Sequence, residues 1–315
     1  MESTSLRTLS LTVRPDWEGR TVKRLLTGVL HMAEGHIAAL KLRPAGICLN
    51  GERVFTNARV RKGDILTVQI GDWDGRNDAA PIAVPLDFVY EDEDLAVLNK
   101  SADMAVHGSA SGTQPTVANA LAARWGQGQA FHPVNRLDRG TSGLMVIAKS
   151  AYVHELLRRQ LHTDAFVREY LALAAGRFDP PDGRIELPIA KAQNHPTAQE
   201  IRADGKPSVT EYHTLEAFSD CSLLRLRALT GRTHQLRLHC AALGHPLLGD
   251  RLYGGDDRLP RPALHSAYLR LRHPVSGELL TLSAPLPRDM AALKTRPHNP
   301  PSATPGKRDD LFVPP

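Results

Sequence analysis

A mixed, mainly antiparallel α+β fold is what the sequence predicts, and three observations predict it. Strand-like runs recur through the second half of the chain, at 166–174, 208–217, 221–229, 264–271 and 278–283. Helical periodicity is confined to a few separated stretches, so crossover helices do not join strand to strand. The length, 315 residues, suggests two domains, and a polar, turn-rich stretch divides the chain. The expected layout is a small N-terminal α/β module over 1–72 and a linker over 73–83. A central sheet flanked by helices follows over 84–295. The last segment, 296–315, is rich in Pro and charge without periodicity and reads as a disordered tail.

In chain order, residues 1–9 read as loose. Between Trp17 and Met32 the apolar residues Val22, Leu25, Leu26, Val29 and Leu30 repeat at helical spacing. A shorter helical pattern carries Ile37 and Leu40. Asn50-Gly51 between ICL and ERVF is a two-residue hairpin signal, because both residues tolerate positive φ. Val60-Arg61-Lys62-Gly63-Asp64 then leads into a strand over Ile65–Val68. Past the linker, LDFVYEDEDLAVLNK reads as two strands around an acidic turn. Pro115 to Trp125 is helical, with Val117, Leu121 and Trp125 at four-residue steps. Leu144 to Ala148 is an apolar run of buried-strand type. Ser150 caps a helix whose apolar face is Val153, Leu156, Leu157 and Leu161.

Composition narrows the function. The net charge is +5 and the pI near 9.2, a balance that leans toward a polyanionic partner. Residues 1–72 hold 11 Lys and Arg against 7 Asp and Glu, an excess of four. Three widely spaced cysteines, with no CxxC, fit a reducing cytosol and offer neither a disulfide framework nor a zinc site. The N-terminus lacks the apolar core of a signal peptide and no run is long enough to span a membrane. A cytoplasmic monomer is expected. No metal or cofactor motif is found: HExxH, GxSxG and nucleotide-binding Gly-rich loops are absent. His234 and His239 lie five residues apart and fall on different faces of a helix, so they do not share a metal.

The richest stretch is 132–149, HPVNRLDRGTSGLMVIAK. It sets one carboxylate, Asp138, between Arg136 and Arg139, then a Gly-Thr-Ser-Gly turn, then the apolar run. A lone acid at the mouth of a strand, held by arginines and glycines, suits a carboxylate that must be ionised, fixed and reachable.

This string resembles the signature of the RluA-type pseudouridine synthases, close to HRLDxxTSGLLLLAK. Asn135 stands where that family most often has His, which removes any titrating role at that position. VREYLALA at 167–174 and TGRTHQLRLHCAALGHPLLGDRLYG at 230–254 extend the likeness. The resemblance covers roughly 84–287. Helix, short helix, Asn-Gly hairpin and Lys-Gly-Asp strand in 1–72 are similar to the small RNA-binding module named after ribosomal protein S4. The resemblance implies the pseudouridine synthase fold. It also implies an isomerase that converts uridine to pseudouridine in ribosomal RNA, or in transfer RNA, without a cofactor.

That reaction breaks a glycosidic C–N bond, turns the uracil and forms a C–C bond to the same sugar. The resemblance implies Asp138 as nucleophile or base, by attack on the anomeric carbon or by abstraction of a ribose proton. It implies Tyr170 as the ring that stacks on uracil, and Arg237 as the cation that grips Asp138 bidentately. Leu236 would floor the base, and Arg136, Arg139 and Arg232 would contact phosphate or order the loop. The target uridine would be flipped out of its helix. The competing reading is a non-catalytic RNA-binding protein; the co-occurrence of Asp138, Tyr170 and Arg237 speaks against it.

Overall fold

A computed structural model describes residues 7–72, 77–108, 114–161 and 163–293. The expected tail lies outside them. Two sheets dominate. The first has four strands in the order β1-β4-β2-β3: β1 (Arg7–Thr12), β2 (Ile47–Leu49), β3 (Glu52–Arg53) and β4 (Ile65–Ile70), all antiparallel. α1 (Val22–Gly28) and α2 (Glu34–Lys41) pack on it. Asn50 and Gly51 take φ of 55° and 85°, the left-handed pair that the hairpin requires. The amide of Asn50 accepts from the Ile65 N–H at 2.8 Å and donates to Asp64 at 2.9 Å.

Two expectations change here. The N-terminal stretch is not loose throughout: a strand begins at Arg7, because 7–12 alternates inward and outward against β4. The single helix expected over 17–32 is only seven residues long. Pro15–Trp17 forms a separate 3₁₀ turn, Thr21 caps the helix, and His31 at φ 54° turns the chain away.

The second sheet has ten strands. β5 (Phe88–Glu91), β6 (Leu95–Lys100), β7 (His132–Pro133), β8 (Ser142–Ala148), β9 (Phe166–Ala175) and β10 (Asp182–Glu186) come first along the chain. A separate hairpin, β11 (Ile189–Lys191) with β12 (Gln199–Ile201), projects before β13 (Val209–Ala217) and β14 (Cys221–Ala228). β15 (Leu264–Arg272) and β16 (Leu279–Ser283) complete the sheet. The order is β10-β13-β14-β9-β15-β8-β6-β5, with β16 on β15 and β7 on β8. Only the β15–β8 pairing is parallel; every other neighbour is antiparallel. Helices α3 (Val117–Trp125), α4 (Ala151–Gln160), α5 (Gln235–Ala242) and α6 (Arg288–Leu293) flank it. The predicted strands and the Ser150 cap are present, the Ser150 hydroxyl accepting from Val153 N–H at 3.3 Å.

Alternation along the central strands separates two cores. Leu95, Val97, Leu144, Val146 and Ala148 face one cluster; Leu98, Met145 and Ile147 face the other. The first cluster runs without a break into the N-terminal module, through Trp17, Leu25, Leu40 and Val68. Polar contacts reinforce the join. The Tyr152 hydroxyl donates to the Leu30 carbonyl at 2.8 Å, Asp72 accepts from the Ala151 N–H and pairs with His132, and Arg7 pairs with Asp94. The module is therefore docked on the back of the sheet rather than tethered. Within the expected linker, residues 77–82 also pack: Asn77 is buried and donates to the Ala118 carbonyl at 2.8 Å, and Ile82 N–H donates to Asn119.

Candidate active site

The Asp138 loop lies on the face opposite the module. Its geometry starts at Asn135, which is 2% exposed. The side-chain oxygen of Asn135 accepts from Val146 N–H at 2.7 Å, and its amide donates to the Leu144 carbonyl at 3.2 Å. Both ends of the amide thus pin the loop to β8, a task that needs no charge. Past Asp138, the Thr141 N–H bonds back to the Asp138 carbonyl, and the Gly140 N–H donates to Ala102. Gly140 adopts φ 91°. Gly143 adopts φ 108° where β8 crosses β15, and a Cβ there would lie 2.2 Å from the Ser266 carbonyl. Gly143→Ala should therefore destabilise the protein by about 3 kcal/mol or more, through backbone strain and overlap with β15. A thermal melt beside wild type checks this, and an unchanged Tm would contradict the crossing as drawn.

A cleft of about 300 Å³ opens beside the loop. It collects Arg136 and Asp138 from the loop, Tyr170 from β9, Arg232 from the loop before α5, and Leu236 and Arg237 from the first turn of α5. Tyr170 is 7% exposed, and burial chiefly pushes its hydroxyl above the usual range. Leu236, Leu137 and Leu264 supply apolar wall. Arg139 is the exception among the expected site residues. It lines a neighbouring cavity with Lys100 and Arg261. Lys100 is buried behind the loop, donates to the Ser101 and Met104 carbonyls, and burial lowers its pKa to about 8.

The expected Asp138–Arg237 fork is corrected. The Arg237 guanidinium is bidentate to Asp250, at 2.6 and 2.7 Å, and both groups are buried. Burial alone would lower the Arg237 pKa; the Asp250 pair, with the charge of Asp138 added, outweighs it and raises the pKa. Asp138 thus feels a fixed cation without sharing its hydrogen bonds, and keeps both oxygens for the cleft. Tyr253 lies against Arg237, its ring centroid 5.1 Å from the guanidinium carbon.

Several neighbours are not signalled by the sequence motifs. Arg168 lines the cleft, and period two along β9 puts it on the same face as Tyr170. Gln235 accepts from Thr230 and Arg232 N–H and donates to Val209 and Thr210, tying the 230–234 loop to β13. Asp250 and Tyr253 stand within the 230–254 stretch, but only folding sets them against a helix 13 residues upstream. Nothing in that stretch signals the fold-back.

Among the described residues one cluster has metal-like composition: Asp92, Asp94 and His273. His273 Nδ1 accepts from the Val275 and Ser276 N–H groups, at 3.3 and 3.0 Å. Its Nε2 lies 2.8 Å from Asp92. No helix among the described residues is long and apolar enough to cross a membrane.

Similarity to known proteins agrees with this geometry. Residues 94–242 match the family model described as RNA pseudouridylate synthase. The chain is 39% identical over 264 residues to ribosomal large subunit pseudouridine synthase D of Vibrio parahaemolyticus, covering 78% of this chain and 81% of that one. It is 35% identical over 304 residues to the Escherichia coli protein of the same name, covering 89% and 86%. The solved structure of human RNA pseudouridylate synthase domain containing 1 superposes with a TM-score of 0.54 at 31% identity, covering 64% of this chain and 83% of that one. The Asp138 loop, the antiparallel sheet that carries it and these relatives agree, and the chain belongs to the RluA-type RNA pseudouridine synthases, isomerases that act on uridine in RNA.

Proposed function

We propose that this enzyme isomerises specific uridines of large-subunit ribosomal RNA to pseudouridine, with Asp138 as the group that attacks the sugar or removes its proton. One observation carries the reading. Segments some 30 to 100 residues apart deliver a carboxylate, an aromatic ring, an apolar floor and a buried cation to one small cleft. A carboxylate serves as nucleophile or base, and Arg237 sets a fixed positive charge near it. Tyr170 stacks on the freed uracil, and Leu236 supports it. Arg136 and Arg232, exposed at the rim, meet phosphates of the flipped nucleotide. Arg139 contacts the RNA on the far side of the loop. Ribosomal RNA is favoured over transfer RNA because the relatives are named for the large subunit. A cytoplasmic monomer fits that substrate. Pseudouridine mapping of ribosomal RNA from cells with and without the gene tests the assignment. Loss of one or a few sites is expected; an unchanged map of the large subunit would overturn it.

The N-terminal domain, 1–72, serves on this reading as an S4-like RNA-binding module. Support comes from its helix pair, its hairpin and its basic excess. Arg20, Arg24 and Lys62 are exposed and suit phosphate contacts. Because the module shares a core with the sheet, substitution tests it better than deletion. Changing all three to Gln should leave the melting curve in place. The salt slope of RNA binding should fall by about 0.7–0.9 for each phosphate that is no longer neutralised. Filter binding across a salt series reads this, and an unaltered slope would mean that this face is only solvated.

A further inference from the structure

We infer that His234 is a specificity-determining residue, a single fixed N–H donor that recognises a carbonyl oxygen of the flipped uracil. The inference rests on the proposed reaction at this cleft and concerns a residue to which that reaction assigns nothing.

His234 lines the cleft with Asp138 and Tyr170. It caps α5 in the left-handed region, φ 55° and ψ 17°, although it has a Cβ and a bulky ring. Residues with a Cβ are rarely held there, and such strain concentrates where a side chain must be aimed. Its Nδ1 lies 2.8 Å from the Tyr253 hydroxyl, and the two rings meet edge to face at 5.7 Å.

The tautomer follows from counting protons. The Tyr253 oxygen already accepts from the Gln199 N–H at 2.9 Å. Among the described residues the Tyr253 hydroxyl proton has one acceptor within reach, His234 Nδ1, which takes it. Burial, then the nearby Arg237 charge, pushes the His234 pKa below its ordinary value, so the ring is neutral. A neutral ring that accepts at Nδ1 carries its hydrogen at Nε2. Nε2 has no protein partner among the described residues and is not an enclosed, orphaned atom. One donor, fixed in protonation and orientation, is therefore offered at the cleft. Uracil presents carbonyl acceptors at C2 and C4; cytosine replaces the C4 oxygen with a donor amine. A site with one N–H rejects a misplaced donor far better than it rewards a match. Tyr253 is the positioning residue: it fixes the ring, touches Arg237, and ties both to the β11–β12 hairpin through Gln199.

The test is a coupling experiment between enzyme and substrate. Single-turnover kinetics are measured on a synthetic RNA fragment spanning the uridine that the mapping identifies, with uridine, 2-thiouridine or 4-thiouridine at that position. Sulfur keeps the ring and weakens the acceptor. Wild type should lose about tenfold in kcat/KM with one of the two thio substrates. His234→Gly keeps the left-handed backbone without strain. It should lose about tenfold on uridine, and show no further loss with that thio substrate. Tyr253→Phe frees the ring and should shrink the same discrimination while retaining the fold, so it serves if His234→Gly fails to fold. A thio penalty equal in wild type and both variants, or no penalty in wild type at either position, would overturn the inference. Failure of wild type to convert the uridine fragment would instead strike the proposed reaction itself.

Discussion

Asp138→Asn should abolish pseudouridine formation while leaving the fold and RNA affinity intact. Asn keeps the shape but lacks the negative charge and the nucleophilic oxygen. Removal of a group that makes or breaks a bond costs at least about a thousandfold in turnover. The variant lies in a loop whose backbone is fixed independently, by Asn135 on β8 and by Gly140 on Ala102. Melting temperature should therefore stay near that of wild type, and RNA affinity within about threefold. Turnover above a few per cent of wild type would assign the chemistry to another residue.

The second large effect lies at the buried fork. Asp250→Ala leaves the Arg237 guanidinium charged and unpaired in the protein interior. Breaking such a pair costs about 3–5 kcal/mol. Arg237→Met orphans Asp250 and should cost as much. Arg237→Lys should also be poor, because an ammonium cannot make the two parallel hydrogen bonds of 2.6 and 2.7 Å. The informative protein is the double variant, Arg237→Met with Asp250→Leu. Replacing both charges by apolar groups restores most of the lost stability. Activity should not return, since Asp138 then has no fixed cation beside it. Chemical denaturation and single-turnover rates on the same samples separate the two. A stable, active double variant would show that Arg237 is only a structural partner of Asp250.

What the sequence discloses tracks how local each cause is. The hairpin at Asn50-Gly51, the cap at Ser150 and the buried run Leu144–Ala148 depend on neighbours a few residues away, and each forms where expected. The helix over 17–32 is shorter than its spacing suggests, because apolar residues persist through Leu30 while the helix ends at Gly28 and His31 turns the backbone left-handed. The short strands β10, β11 and β12 are too brief for periodicity to register. In the cleft, the motifs name Asp138, Tyr170, Leu236 and Arg237, and folding brings them together. Motifs carry no partner assignments, however. The resemblance pairs Arg237 with Asp138, whereas the fold gives its fork to Asp250, and it does not disclose that Arg139 lines a neighbouring cavity. Likewise, Asn135 looks like a lost histidine in sequence; in the fold it is a backbone clamp. The packing of the module on the back of the sheet, opposite the cleft, has no sequence signature, because a shared core looks like two separate ones when only spacing is read.

Isomerisation, and not RNA binding alone, is the activity of this chain. Pseudouridine formation replaces the C5 hydrogen of uracil with a bond to the ribose, so each event frees that hydrogen. Purified enzyme, treated with a chelator and given no cofactor, is incubated with large-subunit ribosomal RNA carrying tritium at uracil C5. Tritium release should rise with time to one or a few equivalents per RNA with wild type, and stay at background with Asp138→Asn. Tight binding of the same RNA by wild type, with release no greater than that of Asp138→Asn, would contradict it.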